Sequence, residues 1–194
     1  MERNEEHALI REAIAGDRDA MGDLIRNYQP SLNAYMLRLS GRPDVAEDIC
    51  HEAFVRVMTN LHRFDFRYRF STWLFTIARR LYVNAMQKMK PAFDTDTVSA
   101  WRGKDDKPHE TTGHAETMGT VRDALQDALM ELTEEQRSVL VLFHQLDWSI
   151  AVIAEHMGMP EGTIKSHLHR GRRKLRVALE ADEATLAACE EAWA

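Results

Sequence analysis

Apolar positions recur three and four residues apart in segment after segment of this chain, and alternation at every second residue is almost absent. That spacing gathers apolar side chains on one face of a 3.6-residue helix, so the pattern predicts an all-α protein. Leu9, Ile10, Ala13 and Ile14 share one such face, and Met21, Leu24, Ile25 and Tyr28 share another. Gly16-Asp17-Arg18-Asp19 separates the two helices, with Asp17 or Asp19 placed to cap the second. Gly41-Arg42-Pro43-Asp44 breaks the pattern again, and Asp44 is expected to cap a helix over 44–61. Within that helix Val45, Ile49, Phe54, Val57 and Leu61 lie near one stripe. Glu47, Asp48, His51 and Glu52 are left on an acidic, exposed face.

Residues 62–71, HRFDFRYRFS, alternate aromatic with basic side chains and carry no clear helix signal, so they are expected to form a loop. A strongly amphipathic run follows from Thr72 to about Lys90. Residues 91–117 hold Pro91, Gly103, Pro108 and Gly113 among Asp, Lys and Thr, with little apolar periodicity, the composition of a flexible linker. Two small helical domains joined by that linker are therefore expected, one over 1–90 and one over 118–180, with an acidic tail over 181–194. In the second, Thr133 and Gln136 make a capping box at the start of a helix.

The segment SIAVIAEHMGMPEGTIKSHLHRGRRKLRVAL, residues 149–179, has the layout of a helix-turn-helix: a short helix ended by Gly158, a turn through Met159 and Pro160, then a long basic helix. Small Ala154 and Gly158 are expected to let helices approach closely, and Ile164, Leu168, Leu175 and Leu179 give the long helix its buried stripe. In that motif the N-terminal part of the second helix enters the major groove, so Glu161, Thr163, Lys165, Ser166, His169 and Arg170 are the candidates to face DNA. Lys165 and Arg170 can donate to guanine acceptors or to phosphates, and Arg173 with Arg172, Lys174 and Arg176 suits phosphate contact or plain solvation.

Charge changes this picture only through its distribution. The formal net charge of -6 argues against phosphate binding. Yet residues 56–90 carry eight Lys and Arg against the single acid Asp65, and residues 165–176 carry six with no acid at all. Two basic islands in an acidic chain suggest two separate DNA contacts, although either island alone reads equally well as a solvated helix face. The tail from Glu180 to Ala194 has five acids, no base and Trp193, so it either shields the basic helix or frays.

Two segments, FSTWLFTIARRL at 70–81 and LTEEQRSVLVLF with MPEGTIKSHLHRGRRKL at 132–143 and 159–175, together resemble the extracytoplasmic-function sigma factors of the sigma-70 family. The resemblance covers about residues 8–90 and 120–180 in the right order. It implies a first domain that binds core RNA polymerase and captures melted minus-ten promoter DNA, and a second that binds the minus-thirty-five element as duplex. AEDICHEAF at 46–54 is similar to the family's polymerase-binding segment, which assigns Asp48, His51 and Glu52 to that contact, His51 standing where a Gln is common. The loop at 62–71 is similar to the segment that holds a base flipped from the opened strand. The side chains suit that task, since unstacked bases need aromatic surfaces and cations along the backbone, which Phe64, Phe66, Arg67, Tyr68 and Arg69 offer. The alternative makes Phe64 and Phe70 core anchors. Arg80 and Asn84, one turn apart on the next helix, complete the minus-ten set, and Arg80 replaces a frequent Asn, which implies a changed minus-ten preference.

Other departures lie in the second domain. Ile150, Ala151 and Val152 make an unusually apolar start to the first motif helix, either a docking surface for an anti-sigma partner or packing against Leu146 and Trp148. His167 replaces a frequent Arg and Gly171 a frequent Ala; an interior glycine costs about 1 kcal/mol of helix stability.

No enzyme constellation emerges. His109 and His114 have four residues between them in the linker rather than the three of a zinc-protease helix, and His167 and His169 project to different sides. Cys50 and Cys189 form no CxxC pair, so neither a metal nor a cofactor is expected. No apolar run approaches the roughly 18 residues of a membrane span, and the charged start MERNEEHALIR has no signal-peptide pattern, so a cytoplasmic protein without membrane insertion is expected. A transcriptional activator with a similar output domain is the competing reading. It leaves residues 44–90 without a purpose, and no βαβ pattern supplies the receiver domain it needs.

Overall fold

The computed structural model describes residues 3–89 and 113–181, all of it helices and the turns between them. Four helices make a first group: α1 (Arg3–Ile14), α2 (Arg18–Ser40), α3 (Pro43–Asn60) and α4 (Phe70–Met89), with a 3-10 turn at Leu61–Arg63. Four more make a second: α5 (Gly113–Met130), α6 (Glu134–His144), α7 (Ile150–Met157) and α8 (Glu161–Glu180).

Local chemistry accounts for most of the boundaries. Asp17 caps α2, its carboxylate accepting from the amides of Asp19 and Ala20 at 2.8 and 3.1 Å. Gly41 ends α2 at a φ of 68°, a left-handed turn that favours glycine. Asp44 is not the cap of α3. The helix already begins at Pro43, whose fixed φ suits a first turn, and Asp44 lies inside that turn with its carboxylate on the Arg42 guanidinium. The capping box of α6 is present in both directions, Thr133 to Gln136. Helix α5 begins at Gly113, inside the stretch expected to be linker.

Each group buries most of the faces that periodicity marked out, although Ile14 at the end of α1 is 40% exposed. Ile10 of α1, Leu24, Leu32, Tyr35, Met36 and Leu39 of α2, and Phe70, Leu74, Phe75 and Ala78 of α4 are buried, with the Tyr35 and Phe75 rings in contact. In the second group Val139, Leu140 and Leu142 of α6 meet Ile153 of α7 and Ile164 and Leu168 of α8. Gly171 is where α8 crosses α6. A Cβ there would stand 2.9 Å from Leu140 Cδ1, so the missing side chain is what allows the approach. Gly158, expected to serve close packing, has nothing within 4 Å of a hypothetical Cβ; its role is the φ of 64° that ends α7.

The two groups are joined at the C-terminus of α2. The last carbonyls of a helix lack intrahelical partners, and here Arg137 and Gln126 of the second group and Tyr82 of the first supply them. Leu39 O accepts from the Arg137 guanidinium at 2.7 Å and from the Tyr82 hydroxyl at 3.2 Å, and Gln126 donates to Leu37 O and Arg38 O at 3.4 Å each. Further along the join Arg79 of α4 faces Glu134 of α6 at 3.5 Å, and Phe75 packs a tilted face on Trp148.

Candidate nucleic-acid interface

Helix α8 is presented by the turn before it. Ser149 caps α7 through the Val152 amide at 3.3 Å, Gly158 closes it, and Pro160, extended at φ -60° and ψ 146°, launches α8 at Glu161 without a side-chain cap. The positive end of the α8 dipole is thus free of a capping carboxylate or hydroxyl. Ile164, Leu168 and Gly171 turn inward. That leaves Glu161, Lys165, Ser166, His169, Arg170 and Arg173 exposed on the opposite side, with Thr163 half-buried on the flank. Lys165 and Glu161 approach to 3.8 Å, both well exposed, a pairing that a phosphate can displace.

Two neighbours of this face are not free to join it. His167 is half-buried with Nδ1 sealed from solvent. Arg172 lies over the Phe143 ring, 5.2 Å from its centroid, and its Nε donates to His144 Nε2 at 3.1 Å. Burial and then the Arg172 charge hold the His144 pKa below its ordinary value, which keeps that nitrogen an acceptor. Ile150 is half-buried against the core, Val152 is half-buried and only Ala151 of the three is exposed, so the apolar start of α7 is no broad open patch.

In the first group, Asp48, His51 and Glu52 are all exposed on α3, and Val55 continues the same stripe one turn on. Glu52 accepts from Arg56 Nε at 2.7 Å. Exposed Val55 and Met58 add an apolar end to the acidic face.

The loop before α4 divides the aromatic set. Phe64 is a core residue: 6% exposed, its ring is packed on Phe66, Phe70 and Trp73 at centroid distances of 5.2, 5.8 and 5.5 Å. It offers no open face to a base, and its place among the minus-ten candidates is corrected accordingly. Phe66 is half-buried between the His7 edge and the Arg11 guanidinium, 4.9 Å from its centroid. Tyr68 is 45% exposed, with Arg67 and Arg69 exposed on either side. Asp65 binds the Arg67 side chain and amide, which holds its carboxyl below the usual carboxylate range. Arg3 in turn donates to Arg67 O at 2.9 Å, tying the loop to α1. Arg80 and Asn84 are both exposed one turn apart on α4.

Sequence reasoning missed the residues of the join: Thr76, Arg79, Gln126, Arg137 and His156. A single arginine in the apolar run of α6 was the one available signal, and Arg137 is 7% exposed. Among the described residues no three His, Cys, Asp or Glu side chains gather as a metal site, and no helix is long and apolar enough to cross a membrane. His109, Cys189 and the tail beyond Ala181 lie outside the described residues, as do residues 90–112.

A basic recognition helix, an acidic helix face and an aromatic-basic loop in that spatial frame invite comparison with known proteins. Residues 24–90 match the family model for sigma-70 region 2 and residues 122–175 that for sigma-70 region 4. The chain is 32% identical to the ECF RNA polymerase sigma factor SigW of Bacillus subtilis over 180 residues, 88% of this chain and 94% of the relative. It belongs to the ECF sigma factors. The sigma factor EcfG of Rhodopseudomonas palustris is 31% identical over 166 residues, 86% of this chain and 88% of that one. Among solved structures, the fold is shared with the sigma factor RpoE of Bartonella quintana in complex with the anti-sigma factor NepR, at a TM-score of 0.66 and 23% identity, over 84% of this chain and 98% of that one. CnrH in complex with the cytosolic domain of CnrY superposes with the same TM-score at 22% identity, over 92% of this chain and 99% of that one. As a member of this family, this ECF chain is a transcription initiation factor.

Proposed function

We propose that this sigma factor binds core RNA polymerase, directs it to specific promoters and promotes strand opening, while polymerase performs the chemistry and the chain itself is no enzyme. The unit over 1–90 takes the polymerase through Asp48, His51 and Glu52 of α3. It takes the melted minus-ten strand through Phe66, Arg67, Tyr68 and Arg69, with Arg80 and Asn84 following the backbone. The unit over 118–180 reads the minus-thirty-five duplex through Lys165, Ser166, His169 and Arg170, flanked by Glu161, Thr163 and Arg173, and residues between the units set the spacing.

The face of α8 carries this reading above all: its cations and hydroxyl stand exposed on one side of a helix whose other side is sealed on α6. A dedicated protein inhibitor, of the kind that RpoE and CnrH are seen with, would act by covering α3 or α8. The work is cytoplasmic, where polymerase and chromosome are.

Purified core polymerase with this protein on a library of random-sequence templates tests the reading, the transcripts being sequenced. Starts clustered behind a shared two-part motif are expected. An active core that initiates identically with and without the protein would overturn it. Lys165→Ala with Arg170→Ala should weaken duplex binding by about tenfold or more and leave core association intact, since contacts to base edges and phosphates are lost on α8 alone.

A further inference from the structure

From Arg170 onward α8 carries an exposed stripe of which the DNA-facing assignment uses only Arg170 and Arg173. Arg170, Arg173, Lys174, Val177 and Ala178 line a groove of about 610 Å³ between α8 and Glu131 at the end of α5. Val177 is 60% exposed, the most open of the large apolar side chains described. Among the described residues no carboxylate pairs with Arg173 or Lys174, and Glu131 is the groove's one acid against three cations. An apolar strip bordered by unpaired cations fits an acidic, partly apolar segment.

The chain has such a segment directly attached. Ala181, the last residue of the groove, is followed by residues 182–194, which hold Asp182, Glu183, Glu190 and Glu191, no base, and Leu186, Cys189 and Trp193 spaced to share one side. A dozen residues reach up to about 40 Å when extended. The stripe from Ala181 back to Arg170 runs only about 16 Å along the helix axis.

We propose that segment 182–194 folds back along α8, seating Leu186 and Trp193 on Val177 and Ala178 and its carboxylates on Arg170, Arg173 and Lys174. Covalent attachment makes this an intramolecular contact, effective at any protein concentration. Arg170 and Arg173 also belong to the proposed duplex-reading face, so the docked tail competes with DNA for them. That consequence rests on the reading of α8 as the minus-thirty-five helix; the docking itself does not.

The test uses the full chain with an environment-sensitive fluorophore on Cys189, the other cysteine, Cys50, being 6% exposed with its thiol pushed up to about 12 by burial. A blue-shifted, slowly rotating label is expected, turning solvent-like in Val177→Asp and in Arg173→Glu with Lys174→Glu, both changes on an exposed face that leave the helix content by circular dichroism intact. An unchanged label signal in these variants overturns the proposal. So does a signal that grows with protein concentration, which would mean a second copy. In the second arm, Asp182→Asn with Glu183→Gln, Glu190→Gln and Glu191→Gln should tighten duplex binding about three- to tenfold at low salt and lose that advantage at high salt. A docked label with unchanged duplex affinity overturns the competition. A chain that docks its tail but binds no duplex in any form counts against the promoter reading and leaves the docking standing.

Discussion

Thr76 of α4 and His156 of α7 meet at 2.8 Å, hydroxyl oxygen against Nδ1, across the join between the two helical groups. The Thr76 hydroxyl donates its only proton to Thr72 O at 2.6 Å, so it accepts from His156, which fixes the neutral tautomer with the proton on Nδ1. His156 Nε2 is then a buried nitrogen without a partner, and the Trp148 ring stands edge-on to the imidazole at 5.1 Å.

Protonating that nitrogen would put a charge into the join beside two others. Burial, then Arg79 and Arg80, push the His156 pKa down from 6.5 to about 3. The unfolded chain takes up this proton below about pH 6.5 and the folded chain does not until about pH 3, so stability is lost as pH falls through that window. The slope from this one group is at most about 1.4 kcal/mol per pH unit. Urea midpoints measured from pH 7 to pH 5 should therefore fall in the native chain and fall less steeply in His156→Gln. Parallel profiles would show that the imidazole titrates normally and that the join is open to water.

Arg137 ties the groups from the other side. Its guanidinium bonds Leu39 O and Leu132 O, at 2.7 and 3.3 Å, while burial lowers its pKa. Arg137→Met removes both bonds and keeps the apolar volume. A loss of about 2 kcal/mol is expected, from two charge-assisted bonds partly offset by the relief of a buried cation. Because Leu39 is in the first group and Arg137 in the second, small-angle scattering should also show a larger radius of gyration. A destabilised variant of unchanged dimensions would place the lost energy inside the second group alone.

Gly171→Ala sets two effects against each other. Alanine gains about 1 kcal/mol of helix propensity over glycine. Its Cβ, however, would stand 2.9 Å from Leu140 Cδ1 and 3.3 Å from Leu140 Cγ, and Leu140 is itself 3% exposed with little room to move. Overpacking of a close crossing costs about 1 to 3 kcal/mol, so the clash should win and the melting temperature fall. A rise would mean that Leu140 finds another rotamer and that propensity decides the position.

Periodicity made the helices legible because a buried stripe must repeat every 3.6 residues, and the capping box at Thr133 and Gln136 marked a start that no tertiary contact was needed to set. Glycines were harder. Gly158 and Gly171 look alike in a sequence, but one needs its φ of 64° and the other its empty Cβ position, which depends on Leu140 thirty-one positions earlier. Of the join only the lone arginine in the apolar run of α6 was legible, and its partner was not: Thr76 and His156 are 80 residues apart, Leu39 and Arg137 are 98 apart, and neither pair belongs to a local pattern. In the loop, alternation of aromatic and basic residues suggested surfaces for bases without saying which ring turns inward, since a segment outside a helix has no period to sort its faces.

That division between Phe64 and Tyr68 can be tested by making each alanine. Phe64 is enclosed by Phe66, Phe70 and Trp73, so Phe64→Ala leaves a cavity and should cost about 3 kcal/mol or more. Tyr68 is 45% exposed, and Tyr68→Ala should change stability by no more than about 0.5 kcal/mol. Strand opening should show the reverse order. Stacking a base on an aromatic ring is worth about 1 to 3 kcal/mol, so Tyr68→Ala should reduce open promoter complexes, by permanganate reactivity of unpaired thymines, about five- to a hundredfold. Phe64→Ala, assayed well below its melting temperature, should lose less, because its ring supports the loop and does not touch the strand. Equal loss of opening in both variants would mean that the loop acts as one rigid unit whose shape matters more than any single exposed ring. A Tyr68→Ala chain that opens promoters normally would move the base-holding role to half-buried Phe66, whose contacts with His7 and Arg11 on α1 would then have to loosen when DNA binds.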